Sequence, residues 1–509
     1  MESKKQFALK VKGRIWAFVK RLNFVARPGS PAGRLFWLVV LAAAIRLILL
    51  PKAFYGSVGE MYRDLEVVWR LYHNNAWPLL GPSSALGGFY FGAIYYYIEA
   101  VFIGLFRFVP TGAVFTSTVF SLLSLPMLYR LCRTWFQDPA VAVLAVAVQA
   151  VALFDVQNAY YVSNPNLLPF FLLAFFRVLT RVIEGDARMR NYAILGLLFG
   201  TASQLHTTAL VLMVLVMSAA AVKFRLRPSW QQAAVFLLIC GILYLPYGIF
   251  EVRHDFALSK TLAQIGQYQA AAGSRLQVFL GFLNFFGSLL IFKDGFFSYF
   301  PDYAPWFFAA AALAAALVLF ALWLIVGKKI RLRTAGLSTA GRFLFPAWLG
   351  AGLLMYLASA VPPAFYYYLA MWPAPAILLA WWLAAVKDRS KKFFAPVLGG
   401  YVLLQAVNLG VFACHIYRPQ FSHGALQLAF AYIKQQSKGQ PNLVLNQALD
   451  INQFYYYLRF NGLGSFKERT GGQTVYVLRE CASGPEDLFS RSRVSSKNFQ
   501  GLCVDEFKK

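Results

Sequence analysis

The sequence reads RLFWLVVLAAAIRLILL at residues 34–50 and, shortly afterwards, GSVGEMYRDLE at residues 56–66. An apolar run of this kind can cross the hydrocarbon core of a bilayer as a helix, since about 20 residues span about 30 Å. The second stretch carries Glu60 and Asp64 four residues apart, which places both carboxylates on one face if the segment is helical. Together the two stretches predict a membrane helix followed directly by an acidic segment at the membrane surface.

The overall composition extends this interpretation to the whole chain of 509 residues. Hydrophobic residues make up 59% of the sequence, charged residues only 14%, and the mean hydropathy is +0.55. The apolar residues cluster into runs of about 17 to 23, the length that a membrane-spanning helix requires. These values exclude a soluble enzyme and predict a polytopic membrane protein.

The net charge of +27 follows the same pattern, because Lys and Arg lie mainly in short segments between the apolar runs. Cationic loops of this kind are the topology signal of a membrane protein. No stripe of basic and aromatic residues lies outside this membrane context, so nucleic acid is not expected as a partner. Membrane lipids are the expected surroundings of the chain.

Residues 1–33 form a basic segment whose apolar positions recur at helical spacing. This predicts an amphipathic cytoplasmic N-terminus on an anionic leaflet, with a disordered basic tail as the alternative. Residues 34–415 form the predicted transmembrane domain, where about eleven spans place the basic clusters on the cytoplasmic side. The predicted spans include residues 35–50, 113–131, 139–158, 166–182, 191–205, 207–222, 231–250, 305–327 and 364–386, and the last span ends near residue 415.

Two long outer segments interrupt this order, at residues 51–112 and 251–304. Each contains an apolar stretch, residues 89–108 and residues 276–292. Counting either stretch as a span would invert the distribution of basic clusters, so both are predicted to be interfacial or re-entrant helices. The first stretch is also rich in Tyr and contains Glu99, which fits an interface because aromatic side chains favour it.

Residues 416–509 are polar and predict a small extracytoplasmic α/β domain, with a helix at 425–436 and β-like runs at 442–446 and 474–478. Cys481 and Cys503 lie in this domain, where an oxidising compartment could join them or they could stay free. The predicted fold class is therefore an all-α polytopic membrane protein of about eleven transmembrane helices plus interfacial helices. The small C-terminal α/β domain completes it.

Polar residues near the predicted outer ends of the spans are candidates for substrate binding. Asn164 and Asn166 lie in the stretch YYVSNPNLLP at residues 160–169, where they could hydrogen-bond a substrate or cap the next helix. His206 interrupts an apolar segment near the outer face. Polar residues at membrane depth are costly and tend to be functional, although a lone His is also a common packing residue.

The second outer segment opens with Glu251, Arg253 and Lys260. An Arg in this place could bind a lipid phosphate through charge-assisted hydrogen bonds, and ordinary anchoring at the interface is the alternative. The sequence contains no Walker loop, Rossmann fingerprint, nucleophile elbow or zinc-ligand spacing. The candidate chemistry is therefore confined to polar residues of the outer loops.

In the first outer segment, either Glu60 or Asp64 could act as a general base or hold a metal ion, with a solvated helix start as the alternative. Arg63 is a neighbouring substrate-binding candidate. Tyr90 is another, because it lies in a loop of Gly, Pro and aromatic residues that can pack against a lipid chain or a sugar face.

Taken together, these segments resemble the GT-C superfamily of integral-membrane glycosyltransferases, near the protein O-mannosyltransferase and aminoarabinose transferase group. The resemblance covers roughly the first 260 residues. The segments that carry it are, in order, Glu60 to Asp64, Leu80-Gly81-Pro82 with Gly87-Gly88-Phe89, Asn164 to Pro169, and Gln204-Leu205-His206.

This resemblance implies an inverting transfer from a polyprenyl-phosphate sugar, with an acidic residue of the first outer loop as base and the second long loop gripping the lipid phosphate. Members usually carry Asp at the first acidic position, where this chain has Glu60, so the base is either Glu60 or Asp64. Related families often hold another Asp in the next outer loop, where this chain has Asn164 and Asn166. A divalent metal is therefore not favoured as a cofactor.

The sequence thus predicts a hexosyl or pentosyl transferase that acts on a lipid, polysaccharide or protein acceptor. A transporter or flippase of lipid-linked sugars would explain the many spans equally well, but the sequence shows no internal repeat and its outer loops carry carboxylates. A non-catalytic scaffold is a third alternative. The predicted location is the bacterial inner membrane, with a cytoplasmic N-terminus and a periplasmic or extracellular C-terminal domain.

Overall fold

A computed structural model places most of the chain in helices. It describes residues 30–48, 50, 58–84, 89–265, 275–290, 336–358, 365–416, 423–437, 443–446, 474–480, 492–499 and 502–508, together with residues 309, 312, 316, 454, 456, 457 and 461. The predicted N-terminal amphipathic segment therefore lies almost entirely outside the described residues. The same holds for Gly87, Gly88 and Cys481.

The first half of the chain contributes ten α-helices, one 3₁₀ helix and one short hairpin to the described structure. They are α1 (Pro31–Ile48), α2 (Val58–Asn74), β1 (Leu80–Ser83), β2 (Tyr90–Gly92), α3 (Ile94–Leu105), α4 (Thr111–Trp135), α5 (Pro139–Val151), α6 (Leu153–Tyr160), a 3₁₀ helix (Asn164–Leu167), α7 (Leu168–Ile183), α8 (Met189–Leu205), α9 (Thr207–Phe224) and α10 (Trp230–Arg253).

The second half continues with α11 (Ala257–Ile265), α12 (Arg275–Gly287), α13 (Thr339–Ala358), a second 3₁₀ helix (Phe365–Met371), α14 (Pro373–Arg389), α15 (Lys391–Ile416), α16 (His423–Gln436), β3 (Leu443–Asn446), β4 (Thr474–Glu480), β5 (Ser492–Phe499) and β6 (Leu502–Lys508).

Seven helical segments among the described residues are long and apolar enough to cross a membrane: α1, α4, the first 3₁₀ helix with α7, α9, α10, α13 and α15. The pair α5–α6, bent by 55°, makes an eighth if it is counted as one span. Helices α8 and α14, with 17 residues each, overlap the predicted spans at 191–205 and 364–386. The predicted span at 305–327 lies outside the described residues apart from 309, 312 and 316.

Two apolar helices are short, and both fall where interfacial or re-entrant helices were predicted. Helix α3 has 12 residues and α12 has 13. At about 1.5 Å per residue, neither can cross a hydrocarbon core of about 30 Å. The predicted fold class of a helical membrane protein is thus confirmed, and the interfacial or re-entrant placement of α3 and α12 stays a prediction.

The bend between α5 and α6 surrounds a buried ion pair. Arg46 of α1 is fully buried and donates to Asp155 Oδ2 at 2.5 Å, to Ser121 Oγ at 2.9 Å and to the carbonyl of Ala150 at 2.8 Å. Trp372 Nε1 donates to the other oxygen of Asp155 at 2.8 Å. Carbonyls released at a helix break need new donors in a bilayer, and Arg46 supplies one.

The C-terminal part forms the predicted small α/β domain. Its strands have the order β3-β4-β6-β5, with β3 parallel to β4 and the other pairs antiparallel. Helix α16 packs against β5 and β6. Cys503 of β6 is disulfide-bonded, while its predicted partner Cys481 lies outside the described residues.

This domain also touches the transmembrane part. The hydroxyls of Tyr457 and Tyr62 of α2 lie 3.2 Å apart, and their ring centroids are 5.6 Å apart. The hydroxyl of Tyr456 donates to the carbonyl of Phe108. The C-terminal domain therefore packs against α2, the helix that carries Glu60 and Asp64.

Candidate active site

A cleft of about 160 Å³ lies where several loops and helix ends meet. Its walls come from α2, the β1–β2 hairpin, the loop before the first 3₁₀ helix, the start of α9 and the second 3₁₀ helix. The lining residues are Glu60, Arg63, Ser83, Ser84, Phe91, Tyr161, Ser163, Asn164, Pro165, His206, Tyr366 and Tyr367.

Helix α2 presents its two candidate carboxylates at different depths. Glu60, in the first turn, is half-buried and lines the cleft. Asp64, one turn further on, is completely buried behind it. Burial raises the pKa of Glu60 above its usual value, while the nearby Arg63 cation acts in the opposite direction.

Asp64 is held by hydrogen-bond donors on both of its oxygens. Arg63 donates from Nε to Oδ1 at 2.9 Å, its Nη2 forms an ion pair with the same oxygen at 2.8 Å, and the Tyr95 hydroxyl lies 3.2 Å from Oδ2. Burial raises the pKa of Asp64 to about 6, and the Arg63 charge limits that rise. Asp64 therefore fixes the Arg63 guanidinium at the cleft without lining the cleft itself.

His206 forms an uncharged part of the wall. It is the N-cap of α9, where Nδ1 accepts from the Thr208 backbone N–H at 3.2 Å. Burial lowers the pKa of His206 to about 4, so the ring is neutral at physiological pH, and an accepting Nδ1 assigns the proton to Nε2. The ring stacks on Phe91 with centroids 5.2 Å apart and lies 4.9 Å from the ring of Tyr367.

The two asparagines of the first 3₁₀ helix differ in their position relative to the cleft. Asn164 lines the cleft, and its Nδ2 donates to the carbonyl of Leu205, which joins this 3₁₀ helix to the end of α8. Asn166 is not among the lining residues, and its Nδ2 donates to the carbonyls of Tyr161 and Asn158, the latter at 3.1 Å. Asn166 thereby holds Tyr161 in the cleft wall.

The remaining predicted site residues do not line this cleft. Tyr90 is 39% exposed on the outside of the hairpin. Glu251 is buried and accepts from the backbone N–H of Ser259 at 3.2 Å, so it holds the start of α11. Arg253 is exposed at the end of α10, and Lys260 is exposed in the first turn of α11. Helix α10 itself packs against both strands of the hairpin that lines the cleft.

The structure thus brings together Glu60, Arg63, Asn164 and His206, with Asp64 directly behind them. The sequence interpretation missed the aromatic walls, above all Tyr366 and Tyr367 of the second 3₁₀ helix. Their signal is the run FYYYLAM at residues 365–371, where three consecutive tyrosines stand near the start of the span predicted at 364–386. Among the described residues, no group of three or more His, Cys, Asp or Glu side chains could hold a metal ion.

Comparison with known proteins identifies relatives of the fold. Residues 70–248 match the family model of dolichyl-phosphate-mannose-protein mannosyltransferases. A crystal structure of ArnT from Cupriavidus metallidurans bound to undecaprenyl phosphate is similar with a TM-score of 0.58 and 12% identity, over 94% of this chain and 98% of that chain. No curated protein sequence matches the chain.

Two other solved structures are similar at lower scores. ArnT from the same organism in the apo state has a TM-score of 0.49 and 15% identity, over 92% of this chain and 97% of that one. The archaeal oligosaccharyltransferase AglB from Archaeoglobus fulgidus was solved in complex with an inhibitory peptide and a dolichol-phosphate. Its TM-score is 0.46 and its sequence identity 13%, over 88% of this chain and 61% of that chain.

The ArnT match at 0.58 shows that the chain has the fold of that membrane protein over nearly its whole length. With the mannosyltransferase family match, it confirms the resemblance to GT-C membrane glycosyltransferases and the multi-pass architecture. The family match begins at Arg70, so it includes Asn164 and His206 but not Glu60 or Asp64.

Proposed function

We propose that this protein transfers a sugar from a polyprenyl-phosphate donor to an acceptor hydroxyl at the outer face of the membrane. The observation that carries the proposal is the cleft in which Glu60 meets a neutral aromatic wall. A protein of the same fold, ArnT, was crystallised with undecaprenyl phosphate, which supports a lipid phosphate of this class as the donor carrier.

The walls of the cleft suit a sugar ring. Aromatic faces stack on the apolar faces of pyranoses, and buried polar groups next to them fix orientation. Here Phe91, Tyr366 and Tyr367 supply the aromatic surface, and Asn164 and the neutral His206 supply polar atoms. The proposed substrate is therefore a hexosyl or pentosyl unit presented edge-on to Glu60.

Glu60 is the proposed general base, because it lines the cleft whereas Asp64 is enclosed and paired with Arg63. The Glu60 carboxylate takes the proton of the acceptor hydroxyl while the hydroxyl oxygen forms a bond to the anomeric carbon. The bond from that carbon to the phosphate oxygen breaks, and its electron pair leaves with the polyprenyl phosphate. Attack from the side opposite the leaving group inverts the anomeric centre.

An in-line displacement needs the base and the phosphate on opposite sides of the sugar. Arg63 lies only three positions from Glu60 on α2 and therefore belongs to the side of the base. The phosphate grip is assigned to cations of the second outer segment, for which Arg253 and Lys260 remain the proposed residues. Both are exposed, and α10 packs against the hairpin of the cleft.

The acceptor is a lipid, a polysaccharide or a protein in the space outside the membrane. The proposed location is the bacterial inner membrane, with the N-terminus in the cytoplasm and the C-terminal domain outside. In this orientation the first span delivers α2 to the outer face, where a lipid-linked sugar can enter laterally from the bilayer.

The test is turnover of a panel of polyprenyl-phosphate sugars by the purified protein, with release of polyprenyl phosphate as the readout. Glu60→Gln should lower kcat by about 10²- to 10⁴-fold, the contribution of a general base. Glu66→Gln is the matched control, because Glu66 lies on the same helix outside the cleft and pairs with Arg70. Asp64→Asn should lower activity less than Glu60→Gln.

Loss of activity in Glu66→Gln, or full activity in Glu60→Gln, would contradict the assignment of the base. If wild-type protein consumes no donor with any acceptor, transport becomes the better interpretation. Movement of a fluorescent lipid-linked sugar between the leaflets of proteoliposomes would then be measured.

A further inference from the structure

A second buried carboxyl group lies behind Asp64, on the interfacial helix α3. Glu99 is fully buried, and its Oε1 lies 2.9 Å from the hydroxyl oxygen of Tyr95. The same hydroxyl oxygen lies 3.2 Å from Asp64 Oδ2. Within the described part of the chain, Glu99 Oε2 has no hydrogen-bond partner. Asp64, Tyr95 and Glu99 thus form a continuous row leading away from the cleft.

One phenol hydroxyl between two carboxyl groups fixes the number of protons in this row. The hydroxyl of Tyr95 has a single hydrogen, so it can donate to one carboxyl oxygen and must accept from the other. An ionised carboxylate cannot donate. One of the two carboxyl groups therefore carries a proton when both contacts are made.

The surroundings decide which carboxyl group is protonated. Asp64 receives a hydrogen bond from Arg63 Nε at 2.9 Å and forms an ion pair with Arg63 Nη2 at 2.8 Å, and a hydrogen-bonded cation of this kind stabilises a carboxylate. Glu99 has one hydrogen-bond contact, with Tyr95, and its other carboxyl oxygen has no partner among the described residues. Burying an unpartnered oxygen costs far more free energy when the carboxyl group is charged than when it is neutral. The proton belongs to Glu99.

The electrostatics agree with this geometry. Burial raises the pKa of Glu99 well above its usual value, and the neighbouring Asp64 charge raises it further, while Tyr95 and Arg63 act in the opposite direction. Asp64 and Arg63 lie on α2, and Tyr95 lies on α3. Helices α4 and α8 also pack against α3, but none of the groups that act on Glu99 belongs to them. On Asp64 the acting groups are Arg63, Glu60 and Tyr95.

We infer that Glu99 is a positioning residue, a neutral carboxylic acid that donates to Tyr95 so that Tyr95 donates to Asp64 and Asp64 holds Arg63 at the cleft. This role deepens the proposed glycosyl transfer and rests on it for its effect on rate. The protonation of Glu99 itself does not depend on the reaction. It is therefore tested separately.

The first test is spectroscopic and requires no substrate. Infrared spectra of the purified protein at neutral pH should show the carbonyl stretch of a buried protonated carboxylic acid. This band should be absent in Glu99→Gln and present in Glu60→Gln and Glu66→Gln. Absence of the band from the wild type, or its survival in Glu99→Gln, would overturn the inference even in a fully active enzyme.

The second test uses turnover and a double-mutant cycle. Glu99→Gln keeps an uncharged donor, so kcat and the pH–rate profile should stay within about threefold of wild type, whereas Glu99→Leu should lower kcat by about tenfold, as expected for one buried hydrogen bond. In a Tyr95→Phe background, Glu99→Leu should have less than about a twofold further effect, because the connecting hydroxyl is already missing.

If Glu99→Leu lowers kcat by the same factor in the wild-type and Tyr95→Phe backgrounds, Glu99 acts by packing alone. This result would overturn the positioning role. A shift of the acid limb of the pH–rate profile to lower pH in Glu99→Gln would show that Glu99 is ionised in the wild type, with the same consequence. If the wild type transfers no sugar, the proposed function fails while the infrared result still decides whether Glu99 is protonated.

Discussion

A general base must be ionised to accept a proton, and two neighbours act on the ionisation of Glu60 in opposite directions. Burial raises the pKa of Glu60 from 4.5, and Arg63 lowers it. We therefore expect kcat/KM to fall as the pH decreases, with a midpoint above 4.5 that reports the free enzyme. Removal of the cation in Arg63→Met should move this midpoint to higher pH.

The measurement is the pH dependence of kcat/KM for wild type and Arg63→Met, with Arg70→Met as the matched control on the same helix. Arg70 pairs with Glu66 outside the cleft, so its removal should leave the midpoint unchanged. A wild-type midpoint at or below 4.5, or a downward shift in Arg63→Met, would show that Glu60 is not the titrating base.

At the residue scale, the sequence predicted part of the cleft and missed the rest for a physical reason. Glu60, Arg63, Asn164 and His206 stood out because charged and polar side chains are rare beside membrane helices. Tyr366 reaches the same cleft from about 300 positions further along the chain, and an aromatic residue in an apolar segment has no distinguishing local signal. Only the folded chain shows which aromatic residues meet.

At the element scale, the bent pair α5–α6 depends on the ion pair of Arg46 with Asp155. Both side chains are buried, at 0% and 5% exposure, so removal of one partner leaves an unpaired charge in a medium of low polarity. We expect Arg46→Leu or Asp155→Leu alone to lower the free energy of unfolding by about 3–5 kcal/mol. The double variant should recover much of that loss, because it leaves no unpaired charge.

Thermal unfolding of the purified variants in detergent measures these differences. Arg188→Leu is a suitable control, since Arg188 forms an exposed ion pair with Asp186 and exposed pairs contribute little. A double variant that is less stable than both single variants would show that the pair itself, and not the avoidance of an unpaired charge, stabilises the bend.

The helices also show how far a sequence specifies a membrane fold. The positive-inside rule predicts that α3 and α12 are not spans, because counting either helix as a span would place the basic clusters that follow it outside the cytoplasm. The bend after Val151 was not predicted, since residues 139–158 read as one apolar run. The backbone groups released at the break find hydrogen-bond partners that are distant in the sequence. One of them is Gln405, whose side-chain oxygen accepts from the backbone N–H of Leu153 at 2.9 Å.

At the scale of the whole molecule, the C-terminal domain supports the helix that carries the base. Tyr457 contacts Tyr62, which lies two positions from both Glu60 and Asp64 and therefore on the opposite side of α2. We expect Tyr457→Ala to lower turnover several-fold by loosening α2. Tyr457→Phe keeps the ring contact and loses one hydrogen bond, a change of about 0.5–1.5 kcal/mol, so its effect should be smaller.

Turnover and thermal unfolding of both variants measure this support. Leu428→Ala is the matched control, because Leu428 is exposed on α16 of the same domain. Equal turnover in wild type and Tyr457→Ala would show that the domain is attached to α2 without influencing it.

The orientation of the whole molecule decides whether the cleft can meet a donor on the outer leaflet. Arg130 and Arg133 lie near the end of α4, and Lys223 lies near the end of α9, while His206 at the start of α9 lines the cleft. The disulfide of Cys503 independently favours an oxidising compartment for the C-terminal domain. Both observations support a cleft that faces away from the cytoplasm.

We therefore expect alkaline phosphatase fused after Lys509 to be active in a bacterial host, and green fluorescent protein at the same position to be dark. Fusions after Arg227, in the loop that follows α9, should show the reverse. The opposite pattern at both positions would place Glu60 on the cytoplasmic side. A polyprenyl-phosphate sugar on the outer leaflet could then not reach the base, and the proposed reaction would fail for a geometric reason.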